Sequence, residues 1–437
     1  MNRPDRCPRC IKEQVPRADS HLPYIKKMRG AQMETASVKV YPYRWVVLFV
    51  FAILNIVVQM HWVTFAPITG QAASFYQVTP LQVGMLSMIF MFVYVLVSVP
   101  ASYVIDNFGI RKGIGLGALL VGVFGLVKGF YAESYTMVCI AQCGLAVAQP
   151  FVLNAYTKIG ARWFPIDERA TAAGIASLSQ YLGIIIALVA TPYIAAARGM
   201  EDMLMLYGII SLAGAAIFII FVRENPPTPP DNEPEERILV FAGLKHLFKQ
   251  RDMVLLLILF FIGLGIFNAV TTWIEQILAP RGITPEQAGL IGGLMMVGGV
   301  IGAVILPILS DKMHRRKPFM IITMAGIIPG LLGLTFATTF AGLLVSGFIF
   351  GFSIMSAGPI GFQYGAELSY PAPESTSQGM MMLVGQVSGI IFIFGMDMFR
   401  TVETGSMRPF MLIFAALMIL NVALATRMRE STMIQQD

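Results

Sequence analysis

The stretch Ser102-Tyr-Val-Ile-Asp106-Asn-Phe-Gly109-Ile-Arg111-Lys112 interrupts one long apolar region, and Pro307-Ile-Leu-Ser-Asp311-Lys-Met-His-Arg315-Arg316-Lys317 interrupts another. Each puts an aspartate at the end of one apolar run and a basic cluster at the start of the next. The two aspartates are 205 residues apart. A second pair of loops, Pro165-Ile-Asp-Glu168 and Pro371-Ala-Pro-Glu374, repeats at an offset of 206. Two unrelated loops sharing one spacing point to an internal duplication, in parallel orientation if six crossings separate the copies.

The rest of the chain fits that reading. Charged residues make up 13% of it and hydrophobic residues 56%, with a mean hydropathy of +0.70. A soluble chain carries about a quarter charged residues, so lipid must solvate most of this one. Runs of roughly 20 apolar residues span the hydrocarbon core. Twelve such spans are predicted, at 45–72, 81–104, 113–131, 135–157, 170–195, 202–222, 253–278, 286–309, 318–338, 341–364, 378–398 and 408–426. The expected fold is therefore an all-α membrane protein, with 12 transmembrane helices in two six-helix bundles.

An even number of spans puts both termini on one side. Of the 31 Lys and Arg residues, 26 fall in the termini and alternate loops. The others are Lys128, Arg198, Arg281, Arg400 and Arg408. That asymmetry predicts cytoplasmic termini in a multi-pass cell-membrane protein. Basic residues confined to short loops argue against nucleic acid as a partner. The partners expected are the lipid bilayer and a small-molecule solute, and the expected state is a monomer.

The predicted organisation is a cytoplasmic arm (1–44), a first bundle (45–222), a cytoplasmic linker (223–252), a second bundle (253–426) and a tail (427–437). The arm contains no apolar run, so no cleavable signal peptide is expected, and Met28 and Met33 offer alternative starts. In the linker, the Pro-rich acidic part from Glu224 reads as extended and solvated. Ile238, Phe241, Leu244 and Phe248 then share one helical face, which predicts an interfacial amphipathic helix. Cys7 and Cys10 have only His21 nearby, short of the four ligands of structural zinc. Cys139 and Cys143 lie one turn apart on an apolar helix and read as packing. No metal and no cofactor is expected.

The Asp-x-x-Gly-x-Arg-Lys pattern from Asp106 to Lys112 resembles the signature loop of the major facilitator superfamily, with a weaker copy at Asp311. Ser102 and Pro307 stand where that signature usually begins with glycine. The resemblance implies a major facilitator fold working by alternating access. It also implies a cytoplasmic gate in which Asp106 and Arg111 latch toward span 11, and Asp311 and Arg315 toward span 5. A carboxylate at a span's end can also accept from the free amides of a neighbouring helix. A narrower resemblance rests on three stretches: Arg44-Trp-Val-Val-Leu with Gln59-Met-His61-Trp62; Ala148-Gln149-Pro150-Phe-Val-Leu-Asn154 leading to Arg162-Trp163-Phe164-Pro165; and Tyr364-Gly-Ala-Glu367-Leu-Ser-Tyr370-Pro371. Together they resemble the feline leukaemia virus subgroup C receptor family, whose members carry choline, haem-related or vitamin-like solutes.

The candidate substrate-binding residues are Trp62 and His61 in span 1, Gln149 and Asn154 in span 4, Asn268 in span 7 and Gln386 in span 11. Amides inside a span need partners, which cavity water or a solute can supply. The Trp62 ring can offer a π face to a cation, worth about 2 kcal/mol when desolvated. In choline-carrying relatives a second aromatic from span 7 completes the cage, and Asn268 stands at that position here. No Asp, Glu, Lys or Arg sits at the centre of spans 1, 4 or 10, which disfavours anionic substrates.

Proton coupling would need a titratable cavity group, and the candidates are His61, Glu275, Glu367 and Asp397. Lys128 is expected to snorkel outward. The pairs Gly289/Gly293 and Gly298/Gly302 predict close helix contacts in span 8. The function expected is a carrier of a small neutral or cationic organic solute, with a proton-coupled carrier of organic acids or drugs as the alternative. A non-transporting receptor or sensor would need an appended soluble domain. No nucleophile–base pair or phosphate-binding loop points to an enzyme.

Overall fold

The computed structural model describes residues 40–228, 250–369, 374–401 and 403–430, which belong to one compact unit beginning at Val40. The Cys7/Cys10 pair, the amphipathic stretch 238–248, most of the loop at 371–374 and residues 431–437 lie outside them. The described chain is helical: α1 (Tyr43–Trp62), α2 (Thr69–Tyr76), α3 (Pro80–Phe130), α4 (Tyr135–Leu153), α5 (Tyr156–Trp163), α6 (Ile166–Phe221), α7 (Arg251–Thr272), α8 (Ile274–Leu278), α9 (Pro285–Lys312), α10 (Lys317–Phe336), α11 (Phe340–Ser369), α12 (Glu374–Met398) and α13 (Arg408–Thr426).

Among the described residues ten helical stretches are long and apolar enough to cross a membrane. The difference from the twelve predicted runs lies in α3 and α6, of 51 and 56 residues, each of which covers two runs. Both bend sharply within, α3 at Gly109 (φ 87°) and α6 at Gly199 (φ 84°). A Cβ opposes such angles, so glycine lets the chain turn back with no intervening loop. Each of these helices therefore has a first and a second limb.

Local chemistry repeats with the duplication. Thr79 and Thr284, 205 apart, both open helices with a capping box, closed by Gln82 and Gln287, and each is followed by a proline. The amides exposed where α3 resumes after Gly109 have no intrahelical acceptor. Glu224 supplies one, accepting from the backbone N–H of Ile110 at 2.9 Å and Arg111 at 2.7 Å. Glu430, 206 residues later, does the same for Arg316 (2.7 Å) and Lys317 (3.1 Å) at the start of α10. Glu224 thus departs from the solvated linker expected of it, because the helix start beside it needs an anion.

In the N-terminal half, α1, α3, α4 and α6 pack on one another; in the C-terminal half, α7 and α9 to α13 do likewise. Ion pairs and carboxylate–amide bonds among the loops at 105–112, 158–169, 222–228, 310–317 and 426–430 mark what we call the terminal face. The turns at 66–79, 130–134, 274–284, 337–339 and 399–407 mark the far face. The two halves meet near the far face. There Gly289, Gly292 and Gly293 of α9 lie against Leu188, Val189 and Pro192 of α6. Gly389 of α12 lies against Met91 of α3, and Trp273 packs on Gly84. The second predicted glycine pair has a different partner, Gly298 and Gly302 seating against Phe348 and Phe352 of α11.

Candidate substrate and gating site

Helix α1 stops at Trp62, and the chain passes through a turn into a short 3-10 segment, Ala66–Ile68. The break is held from both sides. The Ser87 hydroxyl of α3 donates to the Trp62 carbonyl at 3.0 Å, and Thr64 donates back to Met60 O at 2.9 Å. Trp62 is only 8% exposed, and its indole N–H has no hydrogen-bond partner. A buried donor left open in this way is a place where water or solute can bind.

Across the halves, Asn268 of α7 donates to Gly385 O of α12 at 3.4 Å, next to Gln386. One turn on, Gly389 contacts both Asn268 and Met91, and Met91 lies one turn beyond Ser87. The contact between α3 and α12 therefore links Asn268 and Gly389 to the part of α3 whose Ser87 holds the Trp62 carbonyl. Gln149 is buried and Gln386 half-buried, and neither amide bonds to protein among the described residues.

The structure gives the remaining candidates different surroundings. Asn154 caps the end of α4; it accepts from Tyr94 OH at 3.0 Å and donates to Ser98 Oγ (3.1 Å) and Ser102 Oγ (2.9 Å). It binds α4 to α3. His61 points into the N-terminal half, its Nε2 lying 2.5 Å from Ser211 Oγ and its Nδ1 3.4 Å from Lys128 Nζ. Lys128 does not snorkel outward; it is wholly buried. Gly122, Gly125 and Gly129 bring the second limb of α3 tight against α6, and the ammonium finds its acceptors at the end of α1 and in the turn that follows it.

On the terminal face Lys158 donates to Asp106 Oδ1 at 2.7 Å and to Ile105 O at 2.9 Å. Arg44 pairs with Glu168 at 2.9 Å and lies over the rings of Trp45 and Phe164. Arg162 pairs with Glu224. In the second half Arg316 pairs with Asp311 and, at 3.1 Å, with Glu367. All of these pairs run within a half. Arg111 and Arg315, the expected gate cations, form no side-chain ion pair among the described residues. Arg316, not Arg315, is the counterpart that Arg111 has at an offset of 205, and a left-handed turn at His314 (φ 50°) leads into it. A cavity of about 420 Å3 opens beside this cluster, lined by Pro307, Asp311, Arg316, Pro359, Ile360 and Gln363.

The far face carries a link between the halves. Glu275 of α8 accepts from the backbone N–H of Gly70, at the start of α2, at 3.1 Å. Gln276 also donates to Glu275, and Arg400 donates to Gln276 Oε1 at 2.8 Å. Asp397 lies half-buried at the end of α12, near Arg400.

Two sequence signals could have identified more of this arrangement. The offset of 206 relates Glu224 to Glu430, and that of 205 relates Arg111 to Arg316. The roles of Lys158 and Lys128 carry no comparable signal.

Known proteins share this architecture. The family model for the Major Facilitator Superfamily matches residues 47–393. Solute carrier family 49 member A3 of Xenopus tropicalis is 30% identical over 387 residues, covering 81% of this chain and 77% of that protein. The choline/ethanolamine transporter flvcr2a of Danio rerio is 28% identical over 405 residues, 86% of this chain and 84% of that one. The choline/ethanolamine transporter FLVCR1 of Mus musculus is 27% identical, with coverages of 80% and 69%. In fold, the chain is similar to a bacterial homologue of the human lysosomal transporter Spinster. That match has a TM-score of 0.72 at 14% identity, covering 89% of this chain and 98% of the other. With the glycine-hinged helices, the duplicated signature loops and a family match over most of its length, the chain belongs to the Major Facilitator Superfamily of membrane transporters and resembles, within it, the feline leukaemia virus subgroup C receptor family.

Proposed function

We propose that this transporter carries a small cationic or neutral organic solute by alternating access, with choline and ethanolamine the first solutes to test. The carrying observation is Trp62, whose buried ring and open indole N–H stand at the break in α1 with the unbonded amides of Gln149 and Gln386 as further candidate ligands. A π face and neutral amides suit a cation or a neutral polar solute. The relatives named as choline/ethanolamine transporters favour the same class.

In this reading α3 and α6 each cross the membrane twice, giving twelve crossings in two bundles, 45–222 and 253–426. The terminal face is cytoplasmic, as the basic residues favour, and the protein works as a monomer in the cell membrane. The contacts near the far face then correspond to a carrier closed to the outside. Asp106 and Asp311 hold the loops that gate the cytoplasmic side, and Arg111 and Arg315 remain available to bridge the halves in the opposite state. The test is uptake of labelled choline and ethanolamine into proteoliposomes by wild type and Trp62→Ala. Loss of the ring should raise the KM about 30-fold, the equivalent of about 2 kcal/mol. An unchanged KM removes Trp62 from the site, and uptake of organic acids in place of either amine overturns the substrate class.

A further inference from the structure

Between α1, α3 and α6 lies a buried polar pair for which the transport cycle described above has no use. Lys128 and His61 are both fully buried, and no carboxylate pairs with either among the described residues. An ammonium in such a place persists only if neutral groups take up its hydrogens.

Donor accounting shows how they do. The Ser211 hydroxyl gives its one hydrogen to Tyr207 O at 2.7 Å. The 2.5 Å contact from His61 Nε2 to Ser211 Oγ is therefore a donation by the ring. His61 Nδ1 is left with its lone pair toward Lys128 Nζ at 3.4 Å. Thr64 gives its hydrogen to Met60 O, so its oxygen accepts from Lys128 at 3.5 Å. The Phe65 ring faces the same nitrogen at 4.7 Å from its centre.

Three N–H bonds thus meet three acceptors, and the cluster is satisfied with one positive charge. A second proton, on Nδ1, would point at the ammonium with no anion to offset it. The other groups facing the pair do not supply one. From α6, Tyr207 sits edge-on to His61 and shares its hydroxyl with Thr191. From α4, Gln142 donates to His61 O and Leu86 O. From α2, Tyr76 lies behind Phe65 and donates to Ala132 O.

The pair is built into the turn that carries the substrate candidate. His61 immediately precedes Trp62, and Thr64 and Phe65 follow it within the same break in α1. A cationic solute on the Trp62 ring and a proton on this cluster are two like charges, and no carboxylate pairs with Lys128 or His61 among the described residues to offset them. We propose that Lys128 and His61 form a single-proton site whose proton and a cationic solute at Trp62 exclude each other, so that the carrier exchanges a proton for the cation. The coupling is reciprocal: solute binding must release the proton to the same degree that the proton weakens binding. This exchange rests on the cationic-solute reading, whereas the one-proton assignment rests on the cluster alone.

Two measurements on the full-length protein separate these claims. The first uses no solute. In protein with 15N-labelled histidine, the His61 resonance is identified by its loss in His61→Gln, a variant that keeps a donor for Ser211 and an acceptor for Lys128. In wild type, His61 should stay the neutral Nε2–H tautomer between about pH 5 and pH 8, while in Lys128→Met it should titrate. Formation of a His61 imidazolium in wild type over that range, or identical titration in both proteins, overturns the one-proton site. The second measures choline affinity against pH. Affinity should rise by up to about tenfold per pH unit while the site empties, and the double variant Lys128→Met/His61→Gln, which leaves the cluster no titratable group, should remove that dependence. Choline binding that is independent of pH in wild type overturns the exchange. No choline binding at all overturns the substrate reading and the exchange with it, and leaves the proton site to be judged by the resonance.

Discussion

Replacing Glu275 with alanine removes the acceptor that joins α8 to the start of α2 on the far face. Glu275 is 6% exposed, so solvent does little to screen it. A hydrogen bond to a charged acceptor contributes about 1.5–3 kcal/mol, and the helix N-terminus adds roughly 0.3–1 kcal/mol. The Gln276 amide would lose its carboxylate partner as well, while its bond from Arg400 would remain. Taking about 2–3 kcal/mol as the net loss of far-face closure, the ratio of far-open to far-closed protein should rise about 30- to 150-fold. The readout is maleimide labelling of a cysteine introduced at Leu188, which lies in the α6–α9 contact, with the native cysteines replaced. Labelling should accelerate in Glu275→Ala and less in Glu275→Gln, which keeps an oxygen acceptor. An unchanged rate in a folded, correctly inserted Glu275→Ala protein would refute the far-face latch.

Glu224→Ala and Glu430→Ala should each lower thermal stability, because each leaves two helix-start amides without their acceptor. A loss of about 1–2 kcal/mol per cap is expected, seen as a lower Tm in detergent; equal Tm values would mean that water replaces both carboxylates. Asn154→Ala should destabilise the protein through its lost bonds to α3 while leaving the KM for any transported solute unchanged within about twofold, since these bonds are intramolecular. A large KM effect at unchanged stability would return Asn154 to the substrate site.

What was legible in the sequence follows from which interactions are local. Apolar runs and repeated loops depend on residues close together in the chain, and they could be read directly; the capping boxes at Thr79 and Thr284, equally local, came to light only in the structure. The glycine hinges that join the paired runs within α3 and α6 could not be read, because a loop and a glycine hinge look alike in composition. The side to which a residue turns was the weakest reading. His61 and Trp62 are neighbours, but successive helical residues point about 100° apart, so one can face the α3–α6 seam while the other serves the candidate site. Lys128 was misread because length and charge alone favour snorkelling, and the acceptors that hold it come from a distant part of α1. Arg315 was named as the second gate cation, whereas the repeat offset and the turn at His314 make its neighbour Arg316 the counterpart of Arg111.

Glu224 has one more consequence. By accepting from the amides at 110 and 111, it buckles the end of α6 to the restart of α3, just as Glu430 buckles the end of α13 to the start of α10. Each half is thereby drawn into a hoop whose clasp is a single carboxylate. The chain leaves the first clasp directly for the connection between the halves. Losing either carboxylate would therefore loosen at once a helix start and a helix end that lie 114 residues apart in the chain.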